Sequence, residues 1–480
     1  MTFKSVLALS LLVFALGAPL ALAKVTKEQA ERLGEDLTPL GAEVAGEGDV
    51  PAWTGGLTGV PEGIVFDPKT QHPPNPFPDD KIKYTITSEN MTEYDAVLTD
   101  GHKSMLKRVP GFKMNVYQSR RSCTVPKFVQ KATKRNATTV ELTADGERVT
   151  GGGSMGTPFP IPQSAKELMW NHRLRYVPYR MHRQLASIAV KKGKPTEIIK
   201  YDDASWNGWT DPDWKDAVLL GRWLLRKQSA IVRKPTPPVK LSRPESPFVF
   251  HVILTHGPID GSQSDRKAWA YNSDMRRIRR APDIAYDSPG VNTSNLSTVD
   301  AFGGFDGALD RFDWLLIGRS VKVVPYNSYS VMSTKYDDLV QPDHLSADFV
   351  RYEPHRVWTV EARLREGDSH IYQRRVLHLD EDMQAMVAGE LYDSRGRLWR
   401  VQELHTVNFY QVPVCLPIAE LVYDVRAPGT YLAQSLSNEQ KPVNIYGDGL
   451  GLSCFTPEGM VELSSTSGGS GGDGPSCFLY

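Results

Sequence analysis

Apolar side chains are spaced in three ways along this chain, and each spacing predicts a different kind of segment. Residues 6–16 are an almost unbroken apolar run, with Lys4 before it and Gly17 and Pro19 breaking it. Up to about residue 180, short stretches of helical spacing alternate with proline- and glycine-rich connections. Beyond that point apolar and polar positions mostly alternate, which is the period of a strand with one buried face.

In the first part, residues 26–37 read as a short helix capped by Thr26, with Gln29 three positions on as in a capping box. Residues 49–61 form a glycine-rich extended segment carrying Trp53, and 66–80 a proline-rich surface loop. Tyr84 and Ile86 mark a short strand. Met91, Tyr94, Leu98 and Met105 are spaced for a helix that Gly101 weakens. Residues 115–119 and 138–143 read as extended, 151–153 as a flexible link, and 164–172 as a helix with Leu168 and Met169 available for burial.

In the alternating part, residues 184–191 and 196–201 flank a turn at Gly193. Phe248, Phe250, Val252 and Leu254 share one strand face. Residues 268–272 and 275–279 flank Ser273 and Asp274 as a tight hairpin. Trp358, Val360, Ala362 and Leu364 open a meander over 356–407, whose later strands cover 371–379, 385–392 and 398–405. An antiparallel sheet of this kind needs one apolar face and leaves the other to water or to a ligand. The fold class is mainly β, of the α+β kind, around a large antiparallel sheet. Residues 464–474 are dominated by Gly, Ser and Thr and read as a flexible tail with nothing to bury.

The opening apolar run is too short for a membrane helix, which needs roughly 20 apolar residues. With Lys4 ahead of it and the small pair Ala21 and Ala23 behind, it reads as a signal peptide over 1–23, cleaved after Ala23. Residues 24–460 then form one large domain and 461–480 a C-terminal tail. The mature chain would work outside the cytoplasm, in a periplasm. No Cys follows the cut to carry a lipid anchor, and no later stretch reads as a membrane helix. The chain has 56 basic and 56 acidic side chains, a balance that disfavours nucleic acid as a partner. Cys123, Cys415, Cys454 and Cys477 allow three complete pairings, which sequence leaves open. None sits in a close C-x-x-C pair, and no metal cluster is expected from them.

Motifs that carry chemistry are sparse. There is no G-x-S-x-G elbow and no H-E-x-x-H pair, and Gly151 to Gly153 do not open a nucleotide-binding helix. Asp300, Asp306, Asp310 and Asp313, with three glycines among them, suggest either a calcium loop or a solvated turn that caps its own backbone. The turn is favoured. His251 and His256 fall on opposite strand faces, so no shared zinc is expected. His172 or His182 with Asp203 and Ser205 could in principle make a nucleophilic site, though nothing local sets a nucleophile beside a base. Arg276, Arg277, Arg279 and Arg280 read as a solvated basic strand end. The densest chemical signal is aromatic: Trp206, Trp209, Trp214 and Trp223 lie close together, and Trp269, Trp358 and Trp399 sit on expected strands. The first reading of such residues is core. The second is an aromatic-lined groove for an apolar molecule, with these seven as its ligand-binding residues.

Several blocks resemble one family. Leu37-Thr38-Pro39-Leu40-Gly41-Ala42-Glu43 and Pro51-Ala52-Trp53-Thr54-Gly55-Gly56 are followed by Phe159-Pro160-Ile161-Pro162 and Trp170-Asn171-His172-Arg173. Later come Ala268-Trp269-Ala270-Tyr271-Asn272, Asp310-Arg311-Phe312-Asp313-Trp314, and Arg351-Tyr352-Glu353 with His355-Arg356-Val357-Trp358. In this order, over 25–460, they are similar to the family of unknown function DUF1329. That resemblance implies likeness to outer-membrane lipoprotein-sorting proteins of Gram-negative bacteria. It implies a strongly curved antiparallel sheet, an unclosed barrel, wrapped around helices. The implied role is carriage of a lipid or other hydrophobic molecule across the periplasm, alongside an exporter of the resistance–nodulation–division (RND) type and an outer-membrane protein. It supplies no catalytic residue, metal or cofactor. The tail with Cys477 departs from the family's usual ending.

Three functions are therefore weighed. The first is a periplasmic carrier or chaperone for a hydrophobic molecule, which requires an apolar cavity. The second is an accessory protein that docks a transporter or outer-membrane protein without carrying a ligand, which requires an exposed apolar patch. The third is an envelope lipid or polyester hydrolase, which requires Ser, His and Asp converging in a cleft.

Overall fold

The computed structural model describes residues 25–70, 72–151, 154–212, 229–235, 252–259, 266–272, 275, 277–280, 286–290, 293–439 and 451–465. The expected signal peptide, Phe248, Phe250, His251, Trp214, Trp223 and the tail beyond 465 lie outside them. Four helices precede the main run of strands: α1 (Lys27–Glu31), α2 (Asp100–Arg108), α3 (Lys127–Thr139) and α4 (Ala165–Leu174). The capping box at Thr26 and Gln29 is present, but the helix it starts ends at Glu31, well before residue 37. The helix expected over 91–105 is two pieces, a 3-10 turn Met91–Val97 and then α2. Thr99 separates them by accepting the His102 N–H as the cap of the second.

Strands β1 (Tyr84–Ile86) and β2 (Met114–Val116) form a short pair, and β3 (Val140–Leu142) and β4 (Val149–Gly151) a separate hairpin. The main sheet adds β5 (Arg180–Lys191), β6 (Lys194–Asn207), β7 (Ser229–Pro235), β8 (Val252–Gly257), β9 (Lys267–Asn272) and β10 (Arg277–Arg280). It continues with β11 (Phe312–Pro325), β12 (Tyr352–Leu364), β13 (Arg374–Asp380), β14 (Met386–Tyr392), β15 (Leu398–Asn408), β16 (Cys415–Asp424) and β17 (Tyr431–Leu436).

The order across the sheet is β11-β12-β13-β14-β15-β16-β17-β5-β6-β7-β8-β9-β10. These neighbours are antiparallel; the pair β1–β2 joins at β12 through a single parallel bridge, Tyr352 with Val116. The end strands β10 and β11 do not pair with each other among the described residues. A sheet of this many strands curls under its own twist, and here it remains an unclosed barrel around helices. The hairpins expected around Gly193 and between 268 and 279 are both present, as is the meander.

The expectation of one covered face needs correction. Strands β14 and β17 are buried at every position, because each face of the meander has its own cover. Helix α2 lies on one face, where the Gly101 N–H donates to Glu390 Oε1 (3.0 Å) and His102 Nε2 meets Glu403 Oε1 (3.0 Å). On the other face, the Met386 N–H donates to His172 Nδ1 of α4 (3.1 Å), and Gln402 Nε2 donates to the carbonyls of Ala301 and Gly304. Cys123 and Cys415 form a disulfide with Cα atoms 5.7 Å apart, tying the segment after β2 to β16; Cys454 is disulfide-bonded as well. A further helix covers Pro457–Ser465. No helix among the described residues is long and apolar enough to cross a membrane.

Candidate functional site

A cavity lies on the α4 side of the sheet. Its volume is about 190 Å³. Helix α4 sets one wall. Ser164 caps its first turn by accepting the Glu167 N–H (3.2 Å), and Leu168, Met169, Trp170 and Leu174 are buried beneath it. His172, fully buried on the same helix, takes the Met386 N–H on Nδ1. Burial first, and the nearby Arg175 charge second, push its pKa well below the ordinary imidazole value, so it is a neutral structural pin. The helix stops at Leu174, and Arg175 and Val177 turn into the cavity wall.

The remaining walls come from β5 (Met181, Arg183), β6 (Asp203, Ser205, Trp206), the end of β8, the loop at 302–306 and β16 (Leu416, Glu420). Leu174, Met181, Ile259, Phe305 and Leu416 give it apolar surface. Its charges are mostly matched within the protein. Arg183 pairs with Asp203 (3.0 Å) and Arg266 with Asp306 (2.6 Å). Glu420 accepts from the Gly303 N–H (2.8 Å), Gln434 (3.2 Å) and Ser435 (2.8 Å). Arg173 lies over the Trp170 ring and donates to the Ile259 carbonyl (3.0 Å). Pockets that enclose drug-sized ligands run from about 300 to 1,000 Å³. At about 190 Å³ this cavity is smaller than that range.

The tryptophans named from sequence are distributed over several places. Trp206 lines the cavity with its Nε1–H bound to Asp211 (2.7 Å), and packs in one apolar cluster with Trp269. Trp209 is buried in the α4 cluster, where Trp358 packs at the edge. Trp399 is half-buried at the far end of β15, its Nε1–H on Asp424 (2.9 Å) and its ring between Arg400 and Arg426. The described members thus do not line a common groove.

The four aspartates do not gather either. Asp300 is buried and accepts from Arg375 (2.6 Å) and Thr298 (2.7 Å), with His370 at 3.2 Å; Asp306 pairs with Arg266, and Asp313 with Arg365 (3.1 Å). A Ser–His–acid chain does exist elsewhere. Ser328 Oγ lies 3.2 Å from His405 Nδ1, and His405 Nε2 lies 3.5 Å from Glu403. Ser328 and His405 are completely buried, and neither described pocket reaches them, so a substrate has no route to that hydroxyl through them. Of the proposed trio, Asp203 is held by Arg183, and the His172 Nδ1 is taken by backbone.

Sequence reasoning missed Arg175, Arg183, Phe305 and Glu420. One signal was present: Arg173, Arg175, Arg180 and Arg183 crowd the junction between a predicted helix and a predicted strand. Guanidinium groups concentrated at such a junction need carboxylates or a ligand.

The model of the family described as Protein of unknown function (DUF1329) matches residues 85–460. An uncharacterized protein of Pseudomonas aeruginosa is 36% identical over 462 residues, covering 95% of this chain and 97% of the relative. Among solved structures, a DUF1329 family protein from Desulfovibrio piger is similar with 13% identity and a TM-score of 0.38, over 59% of this chain and 91% of that one. A putative outer membrane lipoprotein-sorting protein domain from Vibrio parahaemolyticus gives 10% identity and a TM-score of 0.40, over 62% and 97%.

Proposed function

This chain belongs to the DUF1329 family, and from that premise we propose that it is a periplasmic carrier or chaperone for a lipid or other hydrophobic molecule. The observation that carries the reading is the cavity between α4, β5, β6 and β16, with an apolar wall beside a charged one. Removing apolar surface from water there is worth about 25 cal/mol per Å², which is the driving force a carrier uses. The disulfide between Cys123 and Cys415 suits an oxidising compartment, in keeping with export by a signal peptide cleaved after Ala23. One domain over 24–460 would carry the site. Trp206 would touch the guest, and the other six tryptophans named from sequence would act at its path or in the core.

The test is solvent extraction and mass spectrometry of the protein released from cells, beside a Ser205→Trp variant whose indole fills the cavity. We expect one class of hydrophobic molecule with the natural chain, reduced about tenfold or more in the variant at unchanged fold. Equal amounts from both would remove this cavity as the site.

A second reading has its own support. On the edge strand β11, Leu315 and Ile317 are 53% and 56% exposed, and an edge with apolar side chains is a template for another chain. An RND-type exporter or an outer-membrane protein would be the partner docked there. Cross-linking from residue 315 in intact cells that captured no envelope protein would end this reading.

A further inference from the structure

Resting on the carrier reading, we propose that the cavity receives the anionic head of an amphipathic molecule, a carboxylate or phosphate-type oxyanion, on the guanidinium of Arg175, with the adjoining apolar chain against Leu174, Met181 and Phe305.

Arg175 is the residue that ends α4. Its Nη1 donates to the His172 carbonyl (2.5 Å), and Nη2 lies 3.6 Å from where a Cβ on Gly303 would stand. No carboxylate oxygen lies within ion-pair distance of it among the described residues. Other interior arginines are matched: Arg121 by Asp382 (2.6 Å), Arg351 by Glu353 (2.5 Å), Arg356 by Glu381 (2.5 Å) and Arg375 by Asp300 (2.6 Å). Arg400, which has no carboxylate either, donates to the Tyr372 hydroxyl and the Asn295 carbonyl. Among the described residues Arg175 has a single acceptor for its five N–H groups, and the residue lines the cavity. Arg175 is half-buried, and desolvation by its surroundings lowers its pKa, although Asp306 and Glu420 pull the other way. A guanidinium partly withdrawn from water gains when an opposite charge meets it.

The carboxylates already in the wall are engaged elsewhere. Asp203 and Asp306 are neutralised by Arg183 and Arg266, and Glu420 is held by the Gly303 N–H, Gln434 and Ser435. Among the described residues that leaves the Arg175 guanidinium facing the cavity without a carboxylate at ion-pair distance. A guanidinium fork suits a planar or tetrahedral oxyanion better than it suits a hydroxyl or ester. The apolar residues beside it distinguish an amphiphile from a bare anion.

The experiment uses the full mature chain, stripped of bound lipid, at pH 7. Dodecanoic acid, dodecanol and inorganic phosphate are compared by calorimetry for the natural protein and for Arg175→Gln and Arg175→Lys. Dodecanoate is ionised at this pH, and it is expected to bind about tenfold or more tighter than dodecanol, the margin of charge-assisted hydrogen bonds. Arg175→Gln should abolish that preference, and Arg175→Lys should restore part of it. If Arg175→Gln does not fold, the comparison of acid with alcohol on the natural chain still decides. Equal binding of acid and alcohol overturns the anionic head while leaving the carrier reading in place. Phosphate binding as tightly as dodecanoate makes this a small-anion site and overturns the amphiphile. Absence of any binding by acid and alcohol alike removes the carrier reading, and this inference with it.

Discussion

At the end of β13, Asp380 is buried with one oxygen accepting the Met383 N–H (3.0 Å) and the other 3.5 Å from His355 Nδ1. Burial first, and then the charge of Asp382, push its pKa up to about 7. An unfolded aspartate titrates near 3.9. Between about pH 4 and pH 7 the folded chain therefore binds more protons than the unfolded one, so stability falls as pH rises through that window and levels off above it. Asp380→Asn removes the ionisable group. Denaturant melts at pH 5 and pH 8 should show the natural protein losing stability toward pH 8 and the variant losing less. An equal loss in both would refute the assignment. Glu403 has the opposite sign: hydrogen bonds from His102 and His405 hold its pKa below the usual range against desolvation. Its contribution is present at neutral pH and lost as the medium becomes acid. None of these partnerships was legible in the sequence, since each joins residues from distant strands. For Arg175 only the local crowding of arginines was visible, and its lack of a carboxylate is a property of the folded wall.

Elements were legible where their signal is local. The capping residue Thr26, the helical stretch over 164–172, the turn at Gly193 and the alternation through the meander all led to the elements found. Helix α3 was missed because its buried stripe, Val129, Ala132, Thr133, Asn136 and Ala137, has helical spacing but mostly small or polar residues. Gly101 weakened the expected helix, yet it lies inside α2 for a tertiary reason: a Cβ there would stand 2.9 Å from Val401 and 3.1 Å from Glu390. The pairing of Cys123 with Cys415 was likewise open until the strands were placed. That bridge spans 292 residues of chain, so it restricts the unfolded state strongly, on the order of 5–6 kcal/mol by chain entropy. Unfolding of Cys123→Ser,Cys415→Ser should need correspondingly less denaturant. A midpoint unchanged from the natural protein would show that packing alone holds β16 to the segment after β2.

At the scale of the whole molecule, the sequence pattern anticipated a large antiparallel sheet with helices but misjudged its exposure. Alternation along β12 and β15 suggested one wet face, whereas α2 covers one side and α4 with the 296–309 segment the other. Among the described residues a cavity lies at the end of α4, where tryptophans from separate clusters do not converge. On the proposed carrier reading, such a cavity would grip one end of the guest. Native mass spectrometry of the protein isolated from the periplasm without detergent addresses that claim directly. The account predicts a population heavier than the bare mature chain by the mass of one hydrophobic molecule, released on mild activation. A single species at the bare mass, unchanged after incubation with envelope lipids, would contradict it.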